Sequence, residues 1–165
     1  MSGRRADAYI GLGANLGNAR DTLLGALEEC AQLPQTRVVR RSSLYLSAPV
    51  GYTDQPDFVN AVAQLESGLS ARELLEAVLA IETRHGRARR FANSPRTLDI
   101  DLLLRGESRI SEPGLELPHP RMHERRFVLE PLAEIAPGLL IPGRGSVRDL
   151  LARCLDQFVR RMEAP

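Results

Sequence analysis

The stretch Leu98-Asp99-Ile100-Asp101-Leu102-Leu103-Leu104 places the tightest limit on how this chain folds. Side chains alternate between the two faces of a strand. Leu98, Ile100 and Leu102 therefore share one face, and Asp99 and Asp101 share the other. Positions two apart on a strand are roughly 6.5 Å apart at Cα, close enough for two carboxylates to serve one metal cluster. Like charges on an otherwise apolar strand repel each other and resist burial, so something positive has to face them. Carboxylate oxygens suit a hard cation such as magnesium, which keeps its waters and takes only one or two protein ligands. The pattern fits equally well two aspartates on the solvated face of an edge strand.

Around this strand the periodicity predicts an alternating series of elements. Residues 8–12 form a first strand that runs into the Gly-rich turn of residues 11–18. A helix carries Leu23, Leu24, Leu27, Cys30 and Ala31 and closes before Pro34. Residues 38–46 are extended, residues 48–57 form a turn-rich loop, and residues 58–65 form another strand. Ser70 and Glu73 make a capping-box pattern ahead of a helix through Leu74, Val78 and Ile81, with Gly86 at its C-terminal cap. Beyond residue 104 lie a looser segment with four prolines or glycines, a short helix over 127–135, and a final helix from 146 to about 162. This order predicts an α+β, ferredoxin-like mixed sheet with helices packed on one face. The 165 residues suit a single domain, 1–165, with residues 1–6 as a flexible tail.

Composition removes several functions. The 22 basic residues are all arginine, so neither a P-loop lysine nor a Schiff-base amine is available. Phosphate handling falls to arginine, backbone N–H groups or metal. A net charge of +1 gives no global attraction to nucleic acid or an anionic membrane. No stretch approaches the ~18 apolar residues of a membrane span, and no apolar run behind Met1 is long enough to suggest a signal peptide. Cys30 and Cys154 read as two buried thiols in a reducing cytoplasm.

Arg84, Arg87, Arg89, Arg90 and Arg96 stand just ahead of the paired aspartates, and Arg121, Arg125 and Arg126 follow them. Metal-holding carboxylates beside arginines that fork onto phosphate oxygens form a working set for phosphoryl-type transfer. An arginine run by itself is more often a solvated loop. The Gly-rich turn lacks the dinucleotide spacing, because Leu16 stands where the third glycine belongs, so Gly11, Gly13 and Gly17 read as a structural turn. His85 reads as a surface residue. His119, between Pro118 and Pro120, has a fixed direction that fits ligand contact or turn packing equally.

Four segments together resemble the 6-hydroxymethyl-7,8-dihydropterin pyrophosphokinases over nearly the whole chain. They are Ala8-Tyr9-Ile10-Gly11-Leu12-Gly13-Ala14-Asn15-Leu16-Gly17; residues 48–61 with Ala48-Pro49-Val50-Gly51 and Asp54-Gln55-Pro56-Asp57-Phe58-Val59-Asn60-Ala61; Pro95-Arg96-Thr97-Leu98-Asp99-Ile100-Asp101; and Pro118-His119-Pro120-Arg121-Met122 with Arg125 and Phe127. The resemblance implies transfer of pyrophosphate from ATP to the pterin hydroxymethyl group, giving AMP, in folate biosynthesis. It implies that Asp99 and Asp101 hold two magnesium ions and that Arg87 and Arg96 are the catalytic arginines. Glu82, Arg87, Arg89, Arg96, Leu102, His119 and Arg125 would then line the ATP site. Ser47, Ala48, Pro49, Val50, Phe58, Asn60 and Phe127 would form the pterin slot, Asn60 offering both a donor and an acceptor to the heterocycle. The expected partners are ATP and a reduced pterin, with no nucleic acid and no membrane, and the expected state is a cytoplasmic monomer.

One departure stands out: Asn93-Ser94 precede Pro95-Arg96 where many members carry Trp-Gly, and the chain has no tryptophan. Phe91 is the aromatic nearest that place. Two rival readings are a related kinase of another heterocyclic alcohol and a ferredoxin-like RNA-binding module. The second suffers from few aromatics and from two aspartates that would repel phosphate.

Overall fold

A computed structural model describes residues 5–86 and 97–163. Its centre is a sheet of six strands: β1 (Ala6–Ala14), β2 (Thr36–Arg41), β3 (Tyr45–Ser47), β4 (Phe58–Ser67), β5 (Asp99–Arg105) and, from the C-terminal end, β10 (Val159–Arg161). The spatial order is β10-β3-β4-β1-β5, with β2 also pairing with β4, and every described pairing is antiparallel. The extended run predicted over 38–46 is thus two strands. Both pair with the long β4, β2 along its C-terminal half and β3 along its N-terminal end. Two small hairpins, β6 (Ile110–Glu112) with β7 (Leu115–Leu117) and β8 (Leu140–Ile141) with β9 (Gly145–Ser146), occupy the remainder.

Helices α1 (Ala19–Ala31) and α2 (Ala71–Arg84) cover one face of the sheet, and α3 (Arg126–Ile135) and α4 (Val147–Ala152) cover part of the other. The single helical face expected from the sequence is therefore corrected to two. The reason lies in the strands themselves, which carry apolar side chains on both sides. Ala8, Ile10 and Leu12 of β1, with Ala61, Ala63 and Leu65 of β4, bury one core with α1 and α2. Tyr9, Val62, Leu103 and Leu104 bury a second with Leu129 and Leu132 of α3 and Leu150 of α4. Each fully buried leucine contributes about 1.5–3 kcal/mol, so both faces need cover. A register shift between Tyr9 and Ile10 skips Leu103 in the β1–β5 ladder. The resulting bulge sends both Leu103 and Leu104 into the second core.

The cap of α2 is as the sequence predicts. The Ser70 hydroxyl accepts from Glu73 N–H at 3.1 Å, the Glu73 carboxylate accepts from Ser70 N–H at 2.8 Å, and Gly86 follows with φ +75°. The C-terminus differs. The helix begun at Ser146 stops at Ala152, and the chain turns and returns as β10 against β3. A helix continued to 162 would leave the outer edge of β3 unpaired; β10 covers it instead. Cys30 and Cys154 are both free and buried.

Candidate functional site

On the second face, α3 and α4 stop short of one end of the sheet. A cavity of about 140 Å³ opens there. Its floor is made by three neighbouring strands. In the ladder, Gly13 lies between Asn60 of β4 and Asp99 of β5, and Gly11 lies between Val62 and Asp101. Both glycines belong to β1 rather than to the turn that the sequence suggested, and neither takes a positive φ. Their role is spatial: without Cβ atoms they leave a trough flanked by the aspartates. A Cβ on Gly13 would stand 3.0 Å from Asn60 Nδ2.

Asp99 and Asp101 reach the cavity from one face of β5, while Ile100 and Leu102 are buried on the other. β5 is the edge strand of the sheet, so this pair combines both sequence readings: an edge position and a shared face toward a cavity. The outward main chain of β5 is held by Glu82, a buried residue of α2 whose carboxylate accepts from Ile100 N–H at 2.7 Å. That bond sits between the two aspartates. The donor set suits magnesium, which needs one or two carboxylates and fills its shell with water and phosphate oxygens. No cluster of three or more metal-ligating side chains exists among the described residues, as a caged transition metal would require.

His119 is positioned by its own backbone, whose N–H donates to Leu103 O at 2.9 Å. Its Nδ1 accepts from Arg121 N–H at 3.1 Å, so in the neutral ring the proton sits on Nε2, 4.0 Å from Asp101 Oδ1. Burial, reinforced by the Arg125 cation and opposed by Asp99, pushes the imidazole down to about 4. At neutral pH it is an uncharged group beside the aspartates and makes no ion pair with them.

The opposite wall is aromatic and amide. Phe58 from the start of β4 and Phe127 from the first turn of α3 both line the cavity. The Arg125 guanidinium lies 5.5 Å from the Phe127 ring centroid, a cation–π contact that orients both side chains. Two residues along β4 from Phe58, Asn60 is buried and its Oδ1 accepts from the buried Ser47 hydroxyl at 2.5 Å. This bond fixes the amide and leaves Nδ2 directed over Gly13. The loop from 48 to 57 closes the side, its end anchored by Asn15, whose Nδ2 donates to Gln55 Oε1 at 2.7 Å and Pro56 O at 2.9 Å.

Of the residues expected from the sequence, Ser47, Ala48, Val50, Phe58, Asn60, Asp99, Asp101, Arg125 and Phe127 meet at this one cavity. Pro49 is not among its lining residues. The Leu102 side chain is buried in the first core, away from it, so only its main chain could meet a ligand. Glu82 acts on the strand carrying the aspartates rather than on the cavity wall. Arg87, Arg89 and Arg96, with Phe91 and Asn93, lie outside the described residues. His85 is not a simple surface residue: with Arg84 it holds Glu29, joining the ends of α1 and α2 where the chain enters the arginine-rich segment. Gly11, Leu12, Gly13, Ala61, Arg121 and Val128 also line the cavity and were not among the site residues expected from the sequence. For Gly11 and Gly13 the signal was present as small residues at alternate positions of one strand.

A family model described as 7,8-dihydro-6-hydroxymethylpterin-pyrophosphokinase matches residues 9–137. The Pseudomonas aeruginosa protein named 2-amino-4-hydroxy-6-hydroxymethyldihydropteridine pyrophosphokinase is 45% identical over 154 residues, 93% of this chain and 95% of that one. A Haemophilus influenzae protein of the same name is 44% identical over 149 residues, 90% of this chain and 93% of its own. Among solved structures, wild-type Plasmodium falciparum HPPK-DHPS matches with a TM-score of 0.71 at 12% identity, over 93% of this chain and 45% of that one. This chain thus spans less than half the length of that protein, and the likeness at such identity concerns the fold alone. With a trough of glycines between paired aspartates and a fixed asparagine amide, and with relatives matched along nearly their full length, the chain belongs to the 7,8-dihydro-6-hydroxymethylpterin-pyrophosphokinase family.

Proposed function

We propose that the cavity on the second face is the pterin site, that the adjoining aspartates hold the metal, and that the two together bring a hydroxymethyl group to the β-phosphorus of ATP. As a member of its family the chain is a diphosphotransferase. The pterin hydroxymethyl oxygen attacks the β-phosphorus and gives its proton to solvent, the bond between that phosphorus and the oxygen leading to the α-phosphorus breaks, and AMP leaves while the pterin diphosphate forms. The observation that carries the site assignment is that one cavity has carboxylates along one side and an aromatic-amide slot on the other.

In this reading Phe58 and Phe127 stack on the two faces of the flat bicycle, and Asn60 reads its edge. The Ser47 hydroxyl holds that amide in one orientation, so the slot selects for a donor and acceptor arrangement before substrate arrives. Asp99 and Asp101 would hold two magnesium ions, whose positive charge would offset the polyphosphate and lower the pKa of the attacking hydroxyl. Arg125, with Arg87, Arg89 and Arg96 of the neighbouring segment, would fork onto phosphate oxygens, Arg87 and Arg96 acting on charge that develops during transfer. His119, neutral with its Nε2–H toward the aspartates, donates a hydrogen bond on the nucleotide side and moves no proton. Glu82 and the main chain of Leu102 complete that side by holding the edge strand in place. Alignment and charge stabilisation dominate such transfers, so no protein base is required. The reading extends to a cytoplasmic monomer of one domain, 1–165; the free buried thiols are consistent with a reducing compartment.

The test is incubation of purified protein with ATP, magnesium and 6-hydroxymethyl-7,8-dihydropterin, resolving the nucleotide products. AMP forms only when all three are present. ADP as the main product overturns the pyrophosphoryl assignment.

A further inference from the structure

We propose that Arg126 and Gln157 are positioning residues that set the width of the heterocycle slot by locking the start of α3 to the turn that leads into the C-terminal strand. Neither residue lines the cavity. Their two side chains grip each other's backbones reciprocally. The Gln157 amide spans both sides of Arg125: its Oε1 accepts from Arg126 N–H at 3.0 Å, and its Nε2 donates to Glu124 O at 2.8 Å. The Arg126 guanidinium answers across the same gap, its Nη1 donating to Leu155 O at 3.0 Å and Gln157 O at 2.9 Å. Its Nε donates to Glu130 Oε1 at 2.9 Å, one turn further along α3, which fixes the guanidinium plane.

The location explains what the clasp does. The N-cap of α3 is Arg125, whose side chain makes no capping bond, so the first N–H of the helix needs a partner from elsewhere. Gln157 supplies it. Arg125 and Phe127, on either side of Arg126, both line the cavity and contact each other. With residue 126 pulled toward the C-terminal turn, its two neighbours are turned toward the slot. Two residues beyond Gln157, Val159 pairs with Ser47, whose hydroxyl fixes the Asn60 amide. Residues 155–159 therefore tie one wall of the slot, Arg125 and Phe127, to the other, Ser47 and Asn60. A slot braced in this way needs no ordering when the flat ring enters, which is where preorganised sites gain affinity.

This inference rests on the pterin-site reading above, and the experiment separates the two. Gln157→Met keeps side-chain length and removes both bonds to the α3 start. Arg126→Lys keeps the charge but leaves one ammonium where a planar group served two carbonyls and a carboxylate. Pterin affinity is measured by titration in the presence of magnesium and a non-hydrolysable ATP analogue, alongside thermal melts and steady-state kinetics. The expected result is a rise in pterin Kd and KM of about fivefold in each variant, the factor from losing one neutral hydrogen bond's worth of preorganisation. kcat at saturating substrates should change by less than about twofold, since the bound geometry is recovered once the slot is filled. Lower melting temperatures with pterin affinity within twofold of wild type would overturn the proposal and make the clasp structural only. Failure of both variants to fold would overturn it in the same way. Absence of AMP formation by the wild-type protein would instead remove the functional reading and leave the clasp without a substrate to position.

Discussion

Gly13→Ala tests whether the glycines of β1 exist for space. The added Cβ would meet Asn60 Nδ2 at 3.0 Å, whereas ordinary contacts begin at 3.4 Å, so the amide must retreat by about 0.4 Å. It has little freedom to do so, because Asn60 is only 5% exposed and its Oδ1 is held by Ser47 at 2.5 Å. Retreat weakens that bond and misdirects Nδ2, at a cost of about 0.5–1.5 kcal/mol for one neutral hydrogen bond. The pterin Kd should therefore rise by about two- to tenfold. Stability should barely move, since replacing a strand glycine with alanine returns roughly 0.5–1 kcal/mol of backbone entropy against the crowding. Gly11→Ala separates the two effects: its Cβ would lie 3.5 Å from Leu103 Cδ1, an ordinary contact with no amide to displace, so affinity lost there reports the filled trough alone. Thermal melts and pterin titrations of both variants provide the assay. A Gly13→Ala protein with wild-type pterin affinity would refute the reasoning, and so would one that melts far lower with its affinity intact.

Asp99→Asn and Asp101→Asn should each lower kcat by about a hundredfold or more while preserving the fold, since each removes a ligand's charge and keeps its size. Without magnesium their melting temperatures should match or exceed wild type, as two like charges no longer share a strand face. Ser70→Ala removes half of the capping box of α2 and should lower the melting temperature by about 2–4 °C with pterin affinity unchanged. Glu134 ties the C-terminal end of α3 to β3, accepting from Ser43 N–H at 2.9 Å, the Ser43 hydroxyl at 3.0 Å and the Tyr45 hydroxyl at 2.8 Å. Burial alone would raise this carboxyl, but those bonds and Arg161 outweigh it and hold it below the ordinary 4.5. A depressed folded-state value means stability present above the unfolded value and lost as pH falls through the folded one. The melting-temperature gap between wild type and Glu134→Gln should therefore be constant from pH 8 to 6 and shrink below about 4.5; a gap unchanged at pH 3 would contradict this.

Local rules carried the sequence a long way. The capping box at Ser70, the glycine after α2 and the alternation at Asp99 and Asp101 depend on neighbours in the chain, and the structure reproduces each of them. Ser47, Phe58, Asn60 and Phe127, grouped only through the family resemblance, line one cavity together with Arg125. Long-range choices were not written locally. Nothing in residues 146–162 says that the helix ends at Ala152, because what ends it is a vacant strand edge at Tyr45–Ser47, about a hundred residues earlier in the chain. The glycines of β1 looked like a turn because glycine is the usual turn residue. Only the register with Asn60 and Asp99 shows that they lie inside the strand and floor the cavity. Helices on both faces, and the clasp between Arg126 and Gln157, likewise depend on which surfaces meet. Periodicity records that a side chain must be buried, and only the tertiary structure decides against what.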